Sequence, residues 1–188
     1  MIRFDPIEHK YFVGEKELPS VTTIIKGSAS NPFIPSSAML RGTMVHSITV
    51  MMDYDRVTLD DVPEEYRGYI EAWETFKKDF AFTLEFAEVR GTGLNNRYAG
   101  CIDRLGILKG EPVVLDIKTG AKASWHDLQM AGYAGLSGEG WTGQGRNLGL
   151  VYLKSDNQYR FEPVRDVDKS AAIFRAKLIE YEKGVKHE

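Results

Sequence analysis

The chain has 188 residues, 43% of them hydrophobic, and a formal net charge of −3. That length suits one domain around one sizeable core, and without a long apolar run or a charged-then-apolar leader the expectation is a cytoplasmic protein. A single cysteine, Cys101, excludes an internal disulfide and a four-cysteine metal site, so any metal must sit on oxygen or imidazole, while the slight acidity leaves nucleic acid only a local basic patch.

Arg3 to Leu18 reads as a small hairpin around Tyr11-Phe12-Val13, turning at Gly14-Glu15. Val21-Thr22-Thr23-Ile24-Ile25 has the β-branched content of a strand, yet Pro19-Ser20 before it suits a helix cap, and both readings stand. Ser36-Ser37 offers an N-cap for a helix over about 38–52, which sets Gly42, Val45, His46 and Thr49 on one side. From Glu64 to Phe80 the residues Tyr66, Tyr69, Ile70, Trp73, Phe76 and Phe80 recur at helical spacing.

Three strand-like segments follow, Phe82 to Arg90, Tyr98 to Leu108 and Val113 to Thr119, the last two separated by Lys109-Gly110-Glu111-Pro112. They predict an antiparallel meander. Ser124 can cap a helix from Trp125 to about Leu136. Gly138-Glu139-Gly140-Trp141-Thr142-Gly143 matches a dinucleotide fingerprint in its letters, but it follows a helix and precedes a strand, the reverse of the required context, and reads as a loop. Strands at Leu148 to Leu153 and Tyr159 to Val164 precede a final helix, capped by Asp166 or Asp168 and ending near Gly184. The order predicts an α/β fold with a mixed central sheet flanked by helices.

A hairpin turning at Gly110-Glu111 would place Leu105 opposite Asp116 and Asp103 opposite Lys118, all on one face. Asp103 and Asp116 would then be diagonal neighbours, close enough for one hard cation to share. Two carboxylates and a lysine beside Val114 and Cys101 are costly unless the charges compensate or bind something. Glu88, on the alternation of Phe82, Leu84 and Phe86, offers a further oxygen. Hard oxygens plus an ammonium suit phosphodiester hydrolysis with Mg²⁺ or Mn²⁺. Arg90, Arg97, Arg104, Lys109, Lys118 and Lys122 supply cations along the same stretch.

Five short motifs follow in order: Gly42-Thr43-Met44-Val45-His46, the acidic Glu88, Gly100-Cys101-Ile102-Asp103, Asp116-Ile117-Lys118, and Gln129-Met130-Ala131-Gly132-Tyr133. Together they resemble the RecB-like branch of the PD-(D/E)XK nucleases, and Leu18 to Ile25 with Arg41-Gly42-Thr43 is similar to phage exonucleases and the mitochondrial genome maintenance exonuclease of that branch. The resemblance implies a restriction-endonuclease-like core over 81–188, an N-terminal hairpin and helical elaboration over 1–80, and a helical Ser-Val-Thr segment. It implies Asp103, Asp116, Lys118 and Glu88 as catalytic positions, and His46, Asp103, Asp116 and Ile117 as metal-binding ones. Gln129, Tyr133 and Arg41 are implied as substrate-binding residues. Helical spacing independently puts Gln129 and Tyr133 on one face. The implied activity is a Mg²⁺- or Mn²⁺-dependent DNA exonuclease working from single-stranded or frayed ends in recombination, repair or replication, possible partners being recombination or single-strand-binding proteins. The alternatives are a structure-selective endonuclease with the same site and a non-catalytic nucleic-acid-binding module. The resemblance also implies N-terminal helices that cover the site, with Tyr66, Tyr69 and Trp73 offering stacking positions.

Overall fold

The computed structural model describes residues 2–27 and 37–185. The expected N-terminal hairpin is a three-stranded antiparallel sheet, β1 (Ile2–Asp5), β2 (Lys10–Val13) and β3 (Lys16–Leu18), because the Gly14 turn brings a third strand back onto β2. The open reading at Val21 resolves as helix α1 (Val21–Lys26). Ser20 Oγ accepts the Thr23 N–H at 3.0 Å, and Val21, Ile24 and Ile25 are buried. A cap and a buried face outweigh β-branched propensity there.

Helix α2 (Ser37–Asp53) starts at Ser37, and Ser36 lies outside the described residues. Helix α3 (Glu64–Asp79) has Glu64 and Glu65 in its first turn and Lys77 and Lys78 in its last, each complementing the helix dipole. Tyr69, Ile70, Trp73 and Phe76 form its buried stripe, and side chains of that size stabilise by about 1.5–3 kcal/mol each when fully buried. Trp73 is 0% exposed and Tyr69 8%, and Tyr66 packs against the same core. Trp73 is thus committed to packing, whereas Tyr66 is half-buried and Tyr69 borders a cleft.

Strands β4 (Thr83–Gly93), β5 (Tyr98–Leu108) and β6 (Glu111–Lys118) form the expected meander. Helix α4 (His126–Ala134) follows, with Trp125 rather than Ser124 at its cap position. The glycine-rich stretch is a small hairpin, not a loop: β7 (Leu136–Gly138) pairs with β4 and with β8 (Trp141–Thr142). Trp141 lies so close over Gly91 and Gly138 that a Cβ at either would collide with it, and glycine contacts of that kind leave no signature in strand propensity. Strands β9 (Asn147–Leu153) and β10 (Tyr159–Pro163) and helix α5 (Val167–Val185) complete the chain, with Asp166 at the capping position of α5.

The large sheet has seven strands in the order β10-β9-β6-β5-β4-β7-β8, and only the β6–β9 pair is parallel. Alternation along β6 divides the core. Val114 joins Leu105, Leu148 and Leu150 under α1, α4 and α5, whereas Val113, Leu115 and Ile117 join Val151 and Leu153 under α2 and α3. The result is an α/β sandwich whose two central strands, β5 and β6, are buried on both faces, and the polar residues they carry at one end are therefore surrounded by protein.

Candidate metal centre

The β5–β6 turn falls at Lys109-Gly110, with φ of 51° and 88°. Two successive positive φ values are those of the tight hairpin turn whose twist matches its strands, and glycine supplies the second without strain. The ladder therefore pairs Leu105 with Val114 and Arg104 with Leu115, correcting the expected Leu105–Asp116 and Asp103–Lys118 pairs by two residues. A shift of two preserves which face each side chain takes. The ladder ends at Arg104 and Leu115, and beyond it Asp103 meets β6 through its side chain, at the Ile117 N–H.

Strand β4 also departs from simple alternation. A bulge between Leu84 and Phe86 moves Phe86 to the opposite core from Leu84, and Glu88 has a φ of 50°. These irregularities end the shared alternation expected of Phe82, Leu84, Phe86 and Glu88. Glu88 Oε2 accepts from the Cys101 thiol at 3.5 Å, and Oε1 lies 3.5 Å from His46 Nδ1 and 3.6 Å from Arg104 Nη1, with no hydrogen-bond partner.

Helix α2 carries His46 over the end of the sheet. Its Nδ1 is also 3.5 Å from Asp103 Oδ2, and its Nε2 is 2.9 Å from the Ile117 carbonyl. Asp103 Oδ2 accepts the Ile117 N–H at 2.7 Å, so the backbone between Asp116 and Lys118 is gripped from two sides. Donor atoms of His46, Glu88 and Asp103 all lie within 4.8 Å of one another. An imidazole that donates from one nitrogen to a carbonyl presents the other to its surroundings, the arrangement common for a ligating histidine.

Burial alone would push the His46 pKa down, but the Asp103 and Glu88 carboxylates override it and raise it to about 9. Asp103 is pushed up to about 7, by burial first and then by Asp116 and Glu88, against the pull of His46. Burial works to raise Glu88 as well, but the His46 and Arg104 cations hold it below its ordinary value.

Asp116 is 1% exposed and stands beside Lys118, whose Nζ lies 2.6 Å from Oδ2. That approach is close but not aligned as a hydrogen bond, which leaves Oδ2 a buried acceptor without a donor. Lys118 Nζ instead donates to Gln129 Oε1 at 2.9 Å, and Gln129 Nε2 donates to the Tyr133 hydroxyl at 2.8 Å. Gln129 and Tyr133 thus share one face of α4, buried behind the lysine. Arg41 reaches the Thr119 carbonyl at 3.5 Å through Nη2, while its Nε is buried and unpartnered. An open cleft of about 570 Å³ lined by Gly42, Thr43, His46, Ser47, Glu88 and Arg90 leads to the group.

Sequence reasoning missed the polar cluster on the other face of β5. Arg104 is 0% exposed, and Nε donates to Asp53 Oδ2 at 2.6 Å, Nη1 to the Asp103 carbonyl at 2.8 Å and Nη2 to Thr49 Oγ1 at 2.8 Å. The available signal was an arginine on a strand buried on both faces, which demands a carboxylate, and an aspartate seven residues beyond His46 on the same helical stripe.

The donor set fits a hard divalent cation: two carboxylates and an imidazole converge, and Glu88 Oε1 and Asp116 Oδ2 are buried acceptors with no hydrogen-bond donor. A profile of the PD-(D/E)XK nuclease superfamily matches residues 34–185, most of the chain. The chain belongs to this superfamily. PD-(D/E)XK nucleases depend on divalent metal, and the α/β sandwich with its seven-stranded mixed sheet is the fold that membership implies. No curated protein matches the chain. A solved structure described as that of SSO0001 is 15% identical over 89% of this chain and 78% of its own, with a TM-score of 0.38, too low for that likeness to bear on fold or function.

Proposed function

We propose that this PD-(D/E)XK protein is a DNA exonuclease that hydrolyses phosphodiester bonds with Mg²⁺ or Mn²⁺ held by His46, Glu88, Asp103, Asp116 and the Ile117 carbonyl. The observation that carries the reading is the convergence of donor atoms of His46, Glu88 and Asp103 within 4.8 Å of one another. A bound divalent cation supplies Lewis acidity at a phosphoryl oxygen and a lowered pKa for attacking water. Lys118 orients that water and stabilises the negative charge that develops on the phosphoryl group. Asp116 and Gln129 hold the ammonium in place, and Tyr133 holds Gln129. Arg41, with its unpartnered Nε at the end of β6, grips a substrate phosphate as a planar fork of donors. Recombination, repair or replication is the setting for such an activity, with recombination or single-strand-binding proteins as its partners in the cytoplasm.

The test is release of nucleotides from an end-labelled single strand with Mg²⁺, Mn²⁺ or EDTA. Cleavage is expected with either metal and none with EDTA. Asp116→Asn, which removes charge but keeps shape, abolishes it, and Lys118→Ala lowers turnover by roughly 10²–10³-fold, the effect of removing one group that stabilises a transition state. Wild-type turnover in Asp116→Asn would overturn the site.

A further inference from the structure

Arg104 touches three separate parts of the candidate metal centre without belonging to it. Its side chain is fully enclosed, yet its Nη1 binds the backbone carbonyl of Asp103 at 2.8 Å and lies 3.6 Å from Glu88 Oε1. Its Nη2 donates to Thr49 Oγ1, and that hydroxyl donates in turn to the His46 carbonyl at 2.9 Å. Nε closes on Asp53, which also accepts from Trp73 Nε1 at 2.9 Å and Lys77 Nζ at 2.8 Å. One guanidinium thus ties β5, β4 and two turns of α2 together. His46, Thr49 and Asp53 form a stripe at intervals of three and four residues, so Arg104 reads the helix along the side that presents the imidazole.

We propose that Arg104, acting through Thr49 and Asp53, is the positioning residue of the metal centre, setting the distance between His46 on α2 and the Asp103 and Glu88 carboxylates on the sheet. Stability alone is a poor reason for this cluster. Burying an ion pair strips both charges of their water, and well-packed apolar residues of the same volume often hold two elements together as firmly. What apolar packing does not supply is direction. The planar guanidinium distributes its donors at fixed angles, and here they fall on the carbonyl of Asp103 itself, on Thr49 one turn from His46 and on Asp53 two turns from it. Its Nη1 also lies 3.6 Å from Glu88 Oε1, so its charge restrains that carboxylate when no cation is bound.

This inference rests on the metal-site reading above, and the two fail differently. Calorimetric Mn²⁺ titration of the full chain, with melting in EDTA, separates them, since a wild-type protein that binds no Mn²⁺ overturns the site itself. Given wild-type binding, Thr49→Val, which keeps shape but removes the hydroxyl, weakens Mn²⁺ affinity by about 10-fold or more, the usual effect of losing a group that orients a ligand. Thr49→Ser restores affinity to within about twofold by keeping both hydrogen bonds, and Arg104→Lys, which cannot reach all three acceptors, lies at or beyond Thr49→Val. Ile24→Val, in the core under the opposite face of the sheet, lowers the melting temperature without moving Mn²⁺ affinity. Thr49→Val with wild-type Mn²⁺ affinity, or Ile24→Val with the same loss as Thr49→Val, overturns the proposal. The Thr49 pair decides the matter even where Arg104→Lys fails to fold.

Discussion

Glu88 holds a φ of 50° inside a strand, a left-handed conformation that costs a residue with a Cβ on the order of 1–3 kcal/mol and persists only where surrounding structure imposes it. Its Oε1 has no donor, and the protons on His46 and Asp103 do in the metal-free protein part of what a cation would do. His46 is raised from 6.5 to about 9, so the stability its proton confers is complete below about pH 6.5 and is lost as pH rises through 9. Asp103 is raised from 3.8 to about 7, so its proton stabilises fully below about pH 3.8 and ceases to do so as pH rises through 7. A divalent cation must displace both. The expected outcome is that Mn²⁺ affinity climbs between about pH 6 and pH 8.5, and that the rise in melting temperature on adding Mn²⁺ widens over that range as the metal-free protein weakens. His46→Ala should narrow that gap and flatten its dependence above pH 7. A gap that stays constant with pH would remove both groups from the site. His46, Glu88 and Asp103 were legible in the sequence because motif order picks them out. Arg104 was not, since a cation beside an aspartate reads as surface charge until the strand is known to be buried on both faces.

At the scale of elements, the long periodic segments were readable and the short or turn-defined ones were not. Helix α3 follows its aromatic spacing, and β5 spans Tyr98–Leu108 as expected. The β5–β6 register depended on which pair of residues takes the positive φ values, a choice that alternation alone leaves open, and α1 depended on a cap competing with strand propensity. Gly68 shows how packing overrides a local rule. It sits inside α3, where alanine is ordinarily better by about 1 kcal/mol, yet a Cβ there would overlap the Ser155 carbonyl in the β9–β10 connection. Backbone does not give way as a flexible side chain does. Gly68→Ala is therefore expected to destabilise the protein by roughly 1–3 kcal/mol, read as a lower denaturation midpoint in urea. Gly184 in α5 has open space where a Cβ would go, so Gly184→Ala should leave the midpoint unchanged or raise it. Equal midpoints for the two variants would mean that α3 does not dock against β9 and β10 as closely as the structure has it.

On the scale of the whole molecule, no helix among the described residues is long and apolar enough to cross a membrane. The order of strands and helices carried the α/β reading, whereas the parallel β6–β9 pairing and the β7–β8 edge came from tertiary packing that no local pattern encodes. What the architecture does to a nucleic-acid substrate follows from where its clefts lie. The metal group is walled by α2 on one side and β4 on the other, and its opening is lined by Gly42, Thr43, Ser47 and Arg90. A second cleft of about 670 Å³, lined by Thr119, Gly120, Lys122, Lys154 and Arg160, begins just past Lys118. Arg41 stands between them, on the Thr119 carbonyl. On the proposed exonuclease reading, a strand reaches Lys118 end-first along these two clefts, the second of which carries Lys122, Lys154 and Arg160 beside Asp156. Trp73 is fully buried in the core, whereas Tyr69 borders the second cleft. Linear and circular single strands of identical sequence, incubated with Mg²⁺ or Mn²⁺, separate the two modes. The linear strand should be degraded while the circle survives, and duplex with frayed ends should be cut faster than blunt duplex. Comparable initial cutting of the circle would overturn the exonuclease reading and assign the same residues to an endonuclease.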